Sequence, residues 1–117
     1  MEELIKSVVC AECEEYGRAS VKFGAVNNSD HESYAVLREE VDEAVGAMDD
    51  VDNLTDVFFE MVKKNEEDKV KLDILNVIKH RAEEAAAESI QAAAMARKAI
   101  ETIQRRERVS DENVHWY

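Results

Sequence analysis

Lys63-Lys64-Asn65-Glu66-Glu67-Asp68 interrupts the longest apolar-periodic part of this chain and divides it into two helices. Cations in a last helical turn complement the negative end of the helix dipole, and asparagine tolerates the left-handed conformation that closes many helices. The carboxylates that follow suit the positive end of a new helix. The stretch therefore predicts a turn at about residue 65 and two long antiparallel helices on either side of it.

Upstream of the turn, Leu37, Val41, Ala44, Met48, Val51, Phe58 and Val62 recur at steps of three and four, with Thr55 as the one polar member. Ser29-Asp30-His31-Glu32 opens this helix as a capping box, with Ser29 as N-cap and Glu32 at the third helical position. Gly46 and the polar run Asp49 to Asn53 are where it is weakest. Downstream, Val70 to Ile103 is apolar on nearly every side, with Ile74, Leu75, Val77, Ile78, Ile90 and Met95 set among alanines, which predicts a mostly buried central helix. Arg105 to Arg108 mark its polar end. At the start of the chain, Leu4, Ile5, Val8, Val9, Ala11 and Tyr16 predict an amphipathic first helix over residues 2 to about 17, weakened at Gly17. Residues 18–28 lose the period and read as a connecting loop.

With no proline and three glycines in 117 residues, the class is all-α: a helical bundle of two long antiparallel helices plus an N-terminal helix. Residues 1–109 read as a single domain and residues 110–117 as a C-terminal tail, in which Trp116 and Tyr117 either cover an apolar patch or belong to a disordered end. Too few helices are present to cover an apolar third helix, so a homo-oligomer is expected. The net charge of −12 argues against nucleic acid or an anionic membrane as a partner, and it suits a protein that gathers divalent cations. No apolar run is long enough to span a membrane and the N-terminus has no basic n-region, so a cytoplasmic location is expected.

Cys10 and Cys13 form a C-x-x-C, but no second pair completes a zinc site and no βαβ pattern surrounds it, so they read as half-buried helix residues. Glu112-x-x-His115 has the spacing of a bundle metal motif yet stands alone in the tail, and a di-iron carboxylate bundle would need two such helices in the core.

The candidate chemistry lies in Leu37-Arg38-Glu39-Glu40-Val41-Asp42-Glu43 and Glu84-Ala85-Ala86-Ala87-Glu88-Ser89-Ile90-Gln91. Carboxylates three and four residues apart crowd on a helix, which calls for solvation or a cation. In a hairpin, residues equidistant from the turn share a height, which sets Glu40 level with Gln91 and Glu43 with Glu88. At about 100° per residue, Glu88 falls on the apolar stripe of Ile74, Val77, Met95 and Ala99, with Arg81 as polar neighbour. Glu43 shares a stripe with Val36, Ala47 and Leu54, and with Asp50. Oxygen ligands converging between helices hold Mg²⁺ or Mn²⁺, so Glu40, Glu43 and Glu88 together are a candidate metal site.

These residues resemble a known family. Glu39-Glu40-x-x-Glu43 followed by Glu88-x-x-Gln91 is similar to the E-E-x-x-E … E-x-x-D signature of the MazG-like all-α nucleoside triphosphate pyrophosphohydrolases. Lys22-Phe23-Gly24, Asn28 to Leu37 and Glu88 to Ala96 extend the likeness to the small phage and Gram-positive branch, over roughly residues 22–104. The resemblance implies a dimeric or tetrameric bundle in which carboxylates hold Mg²⁺ against a nucleotide's phosphates, releasing a monophosphate and pyrophosphate. Glu40, Glu43 and Glu88 would be metal ligands, and Glu39 would bind metal or orient the attacking water. Gln91 stands where the signature has Asp and offers an amide oxygen without charge. Lys98 and Arg97 are candidate phosphate contacts, against a plainer role as surface cations, and His31 is a candidate ligand or base, against a structural hydrogen-bonding role beside the cap. The alternative to hydrolysis is a catalytically weak helical assembly or nucleotide-binding protein without turnover.

Overall fold

The computed structural model describes the backbone of residues 1–115 and the side chains of residues 1–111. The expectations for Trp116 and Tyr117, and for the side chains of Glu112 and His115, lie outside the described residues. Three helices follow in order: α1 (Glu2–Phe23), α2 (Asp30–Lys63) and α3 (Asp68–His115). The described residues contain no strand, and the two long helices pack against each other, as the all-α expectation requires.

The turn between α2 and α3 forms as its residues dictate. Asn65 adopts φ 55°. Its N–H donates to the Val62 carbonyl at 3.1 Å and the Glu66 N–H donates to the Met61 carbonyl at 3.0 Å, the paired bonds of a Schellman motif with asparagine in place of glycine. At the other end of α2, the Glu32 N–H donates to Ser29 Oγ at 3.1 Å, so the cap forms, while the Glu32 carboxylate accepts from Asn28 Nδ2 at 3.1 Å.

Two boundaries differ from the sequence expectation, the ends of α1 and α3. α1 runs to Phe23, beyond Gly17, which sits in open space where its cost is only a weakened helix propensity. The connection is therefore short, closed by Gly24 at φ 91° with its N–H on the Ser20 carbonyl. α2 is unbroken through Gly46, as the two-long-helix expectation requires. α3 continues past Arg108 to His115, so the backbone of residues 110–115 is helical rather than an aperiodic tail.

The chain forms two compact units, Met1–Glu40 with α3 from Ile90 onward, and Val41–Ser89. In the second unit, α2 and α3 pair along a seam with steps of three and four. Ala44, Ala47, Val51, Leu54, Phe58 and Met61 point inward from α2, and Lys71, Ile74, Ile78, Arg81, Ala85 and Glu88 from α3. Ala44, Val51 and Phe58 of the expected stripe lie on this seam, whereas Met48, Thr55 and Val62 are exposed and Ala47, Leu54 and Met61 take the inward places beside them. The smallest seam residues, Ala47 and Ala85, are its buried ones.

The first unit contains the fully buried Ala94 and is stitched together by polar side chains. The Asn27 N–H donates to Thr102 Oγ1 at 2.9 Å, and Asn27 Nδ2 donates to Ser33 Oγ at 2.8 Å. Thr102 in turn donates to the Lys98 carbonyl at 2.7 Å, and Tyr16 donates to the Ala25 carbonyl at 2.9 Å. Asn27, Ser33 and Thr102 are all buried, which anchors the α1–α2 connection to α3.

Candidate functional site

Glu43 and Glu88 meet in the second unit as the hairpin register requires. Glu88 is half-buried on the seam and Glu43 is exposed at its edge. The Glu88 carboxyl is pushed above the usual carboxylate range, first by the hydrogen bond it shares with Glu43, then by burial and by the negative charges of Glu43 and Glu84. Around the pair is a cavity of about 420 Å³ whose wall also includes Gly46, Ala47, Asp50, Arg81 and Glu84. Arg81, the polar neighbour expected for Glu88, is engaged elsewhere: it binds Asp50 and donates to Glu84 Oε2 at 2.5 Å. Glu84 also lies 2.7 Å from His80 Nε2. Asp50 and Glu84 are thus partnered with bases, while the groups that shift Glu88 are themselves carboxylates.

Glu40 precedes Glu43 by one turn on α2, and one carboxylate oxygen from each of Glu40, Glu43 and Glu88 lies within 4.8 Å of the others. The three candidate metal ligands are therefore brought together, although they are less buried than their apolar stripes suggest. Glu39 is exposed on α2.

Gln91 and Lys98 line a separate cavity of about 380 Å³ in the first unit, together with Glu15, Ala19, Phe23, Val36, Glu40 and Met95. Lys98 is buried, contrary to its reading as a surface cation. Arg97 is taken up in a structural pair: its Nε and Nη2 donate to the two oxygens of Glu12 at 2.6 and 2.7 Å, and its guanidinium stands over the Tyr16 ring. This pairing raises the Arg97 pKa far above its ordinary value and removes the residue from the candidate phosphate contacts. His31 is exposed in the first turn of α2.

Cys10 and Cys13 are free thiols and exposed, not half-buried. Glu12 is the residue that sequence reasoning passed over. A glutamate one turn before Tyr16 on the inward side of α1 was the available signal, but its partner lies 85 residues away. No family model, curated protein or solved structure matches the chain.

Proposed function

We propose that this chain is a Mg²⁺-dependent nucleoside triphosphate pyrophosphohydrolase, converting a nucleoside triphosphate and water to the monophosphate and pyrophosphate. The observation that carries this reading is the convergence of Glu40, Glu43 and Glu88. Oxygens around one Mg²⁺ at about 2.1 Å in octahedral geometry stand roughly 3–4 Å apart, so a spread of at most 4.8 Å fits the ion after a small closure. The raised Glu88 pKa adds support, because carboxyls held this closely share protons unless a cation takes their place.

Bound there, a divalent ion would draw charge from the phosphate oxygens and lower the barrier to attack. The protein's own part is positional. Glu40, Glu43 and Glu88 hold the ion, and Glu39, adjacent on the exposed side of α2, orients the attacking water and accepts its proton. The water oxygen bonds to the α-phosphorus as the α–β anhydride bond breaks. Gln91 contributes no charge, which favours modest metal affinity and keeps nucleotide binding without turnover as a second reading.

We also propose that the working form is a homodimer or homotetramer. A monomer of 13.3 kDa is expected to expose about 6,500 Å². This chain exposes 8701 Å², and among the described residues no large side chain is fully buried. Light scattering at micromolar concentration is expected to give a multiple of the chain mass, and a monomeric mass would overturn this assignment.

The hydrolase reading is tested by pyrophosphate release over a panel of canonical and modified nucleoside triphosphates, with Mg²⁺ or Mn²⁺, for the wild type and Glu43→Gln. Release that falls at least about 100-fold in the variant supports it. Binding of nucleotides without release for any substrate favours the second reading.

A further inference from the structure

We propose that the cavity of the first unit is a nucleobase subsite selective for lactam bases, those that carry a ring N–H beside a carbonyl, as uracil, thymine and guanine do. The proposal rests on the reading of the protein as a nucleotide enzyme and names the part of the nucleotide that this cavity takes.

The cavity has one wall from each helix. Glu15, Ala19 and Phe23 succeed one another by single turns on α1, and Val36 and Glu40 do so on α2. Gln91, Met95 and Lys98 form the α3 wall. Its volume of about 380 Å³ lies within the range of small-molecule sites. Ala19, Phe23, Val36 and Met95 supply apolar surface suited to the faces of a flat ring. Phe23 is 69% exposed, with Lys22 Nζ 5.1 Å from its ring centroid. A ring this exposed at the edge of a cavity can serve as a stacking platform for a base, which would take the place of the Lys22 ammonium or lie on the face opposite it. Glu40 belongs to this wall and also to the three-carboxylate group.

The polar groups decide which base. A protonated lysine only donates and a carboxylate only accepts. Lys98, only 7% exposed yet part of the cavity wall, would meet a carbonyl oxygen. Glu15, whose Oε2 is held by Arg18 at 2.6 Å, would meet a ring N–H. A lactam edge offers that pair side by side. Adenine offers an acceptor nitrogen and an amino group, which set acceptor against carboxylate and donor against ammonium. Gln91, with an amide that both donates and accepts, suits either edge and so does not discriminate.

The test is direct binding of uridine, guanosine and adenosine to the full chain with metal chelated, by saturation-transfer NMR and calorimetry. Uridine and guanosine are expected to bind at least roughly tenfold more tightly than adenosine, because the buried Lys98 ammonium, left facing a donor, is strongly penalised. Phe23→Ala, at an exposed position that the fold tolerates, should weaken uridine roughly tenfold by loss of stacking. Lys98→Met should erase the preference for uridine over adenosine. If that buried change prevents folding, Glu15→Gln gives the same readout, since a carboxamide can donate to the adenine ring nitrogen. Equal affinity for uridine and adenosine, unchanged binding by Phe23→Ala, or no nucleoside binding would overturn the proposal. Because the measurement needs neither metal nor turnover, the two readings fail separately. Nucleoside selectivity without pyrophosphate release removes the hydrolase and keeps the subsite; release without selectivity does the reverse.

Discussion

Glu12 in the first unit and Glu88 in the second are both glutamates drawn out of water on the inner side of a helix, and their surroundings treat them in opposite ways. Glu12 receives two charge-assisted hydrogen bonds from Arg97, which compensate its desolvation and tie α1 to α3. Glu88 is set against Glu43, and the shift in its titration comes from carboxylates and burial, while Arg81 nearby is committed to Asp50 and Glu84. A buried acid with a matched base reads as structure. A half-buried acid pressed against a second acid reads as a place prepared for a cation.

The largest expected effect breaks the matched pair. Arg97→Ala leaves Glu12 out of water without its guanidinium, and removing one partner of such a pair is strongly destabilising. The melting temperature should fall by roughly 10 °C. Glu12→Gln combined with Arg97→Met should recover much of that loss by removing both charges. A melting temperature within a degree or two of wild type for Arg97→Ala would show that the pair is only a surface contact.

Next in size is the response of the crowded acids to metal. Mg²⁺ or Mn²⁺ at a hundredfold excess over its Kd should stabilise the wild type by about 2.7 kcal/mol. Glu88→Gln should lose most of that gain and melt higher than wild type without metal, since it removes a repelled charge. Gln91→Asp should tighten metal binding and, if the hydrolase reading holds, speed turnover. Identical melting of wild type and Glu88→Gln with and without metal would reduce the cluster to an acidic face.

A smaller effect follows from proton linkage at the same group. The folded-state pKa of Glu88 is raised, so between its unfolded and folded values the folded protein holds more proton than the unfolded chain. Its contribution to stability is fully present below the unfolded value of about 4.3 and is lost as pH rises through the folded value. Metal-free denaturation curves should therefore show a stabilising component on acidification that Glu88→Gln lacks. Metal affinity should weaken over the same window, because the ion competes with the proton.

How much of this was legible depended on the reach of each interaction. The turn at Asn65 and the cap at Ser29 are written in neighbouring residues, and both formed as expected. The level pairing of Glu43 with Glu88 followed from the turn alone. Ala44, Val51 and Phe58 lie on the seam as their spacing predicts, but the same spacing places Met48 inward because Ala47 and Met48 are both apolar, and choosing between them requires the partner: Ala47 and Ala85 are the seam's buried residues, while the bulkier Met48 is exposed. The end of α1 was misplaced because Gly17 is a local signal against a helix, whereas Tyr16, Asn27 and Thr102 hold the connection by contacts that no neighbouring residue announces. The same blindness hid the Glu12–Arg97 pair, and with it the structural role of an arginine read only as a surface cation or a candidate phosphate contact. Lys98 escaped its surface reading for a related reason, since an α1 ending at residue 17 leaves out Ala19 and Phe23, which help to wall its cavity.

The smallest expected effect sharpens the comparison with a single methyl group in each unit. Gly17 and Gly46 both lie inside helices at ordinary φ, and a Cβ built on either meets nothing within 4 Å. Alanine at either position should stabilise the fold by about 0.5–1 kcal/mol through higher helix propensity and a less flexible unfolded chain. The two then part company. Gly17 lines none of the cavities described, so Gly17→Ala should leave metal and nucleotide responses unchanged. Gly46 lines the cavity around Glu43 and Glu88, and the new methyl would occupy space where hydrated metal or phosphate must fit. Gly46→Ala should therefore melt slightly higher without metal yet gain less from Mg²⁺ and release pyrophosphate more slowly. Equal metal responses from the two variants would mean that the open space beside Gly46 is simply solvent, with no ligand to displace from it.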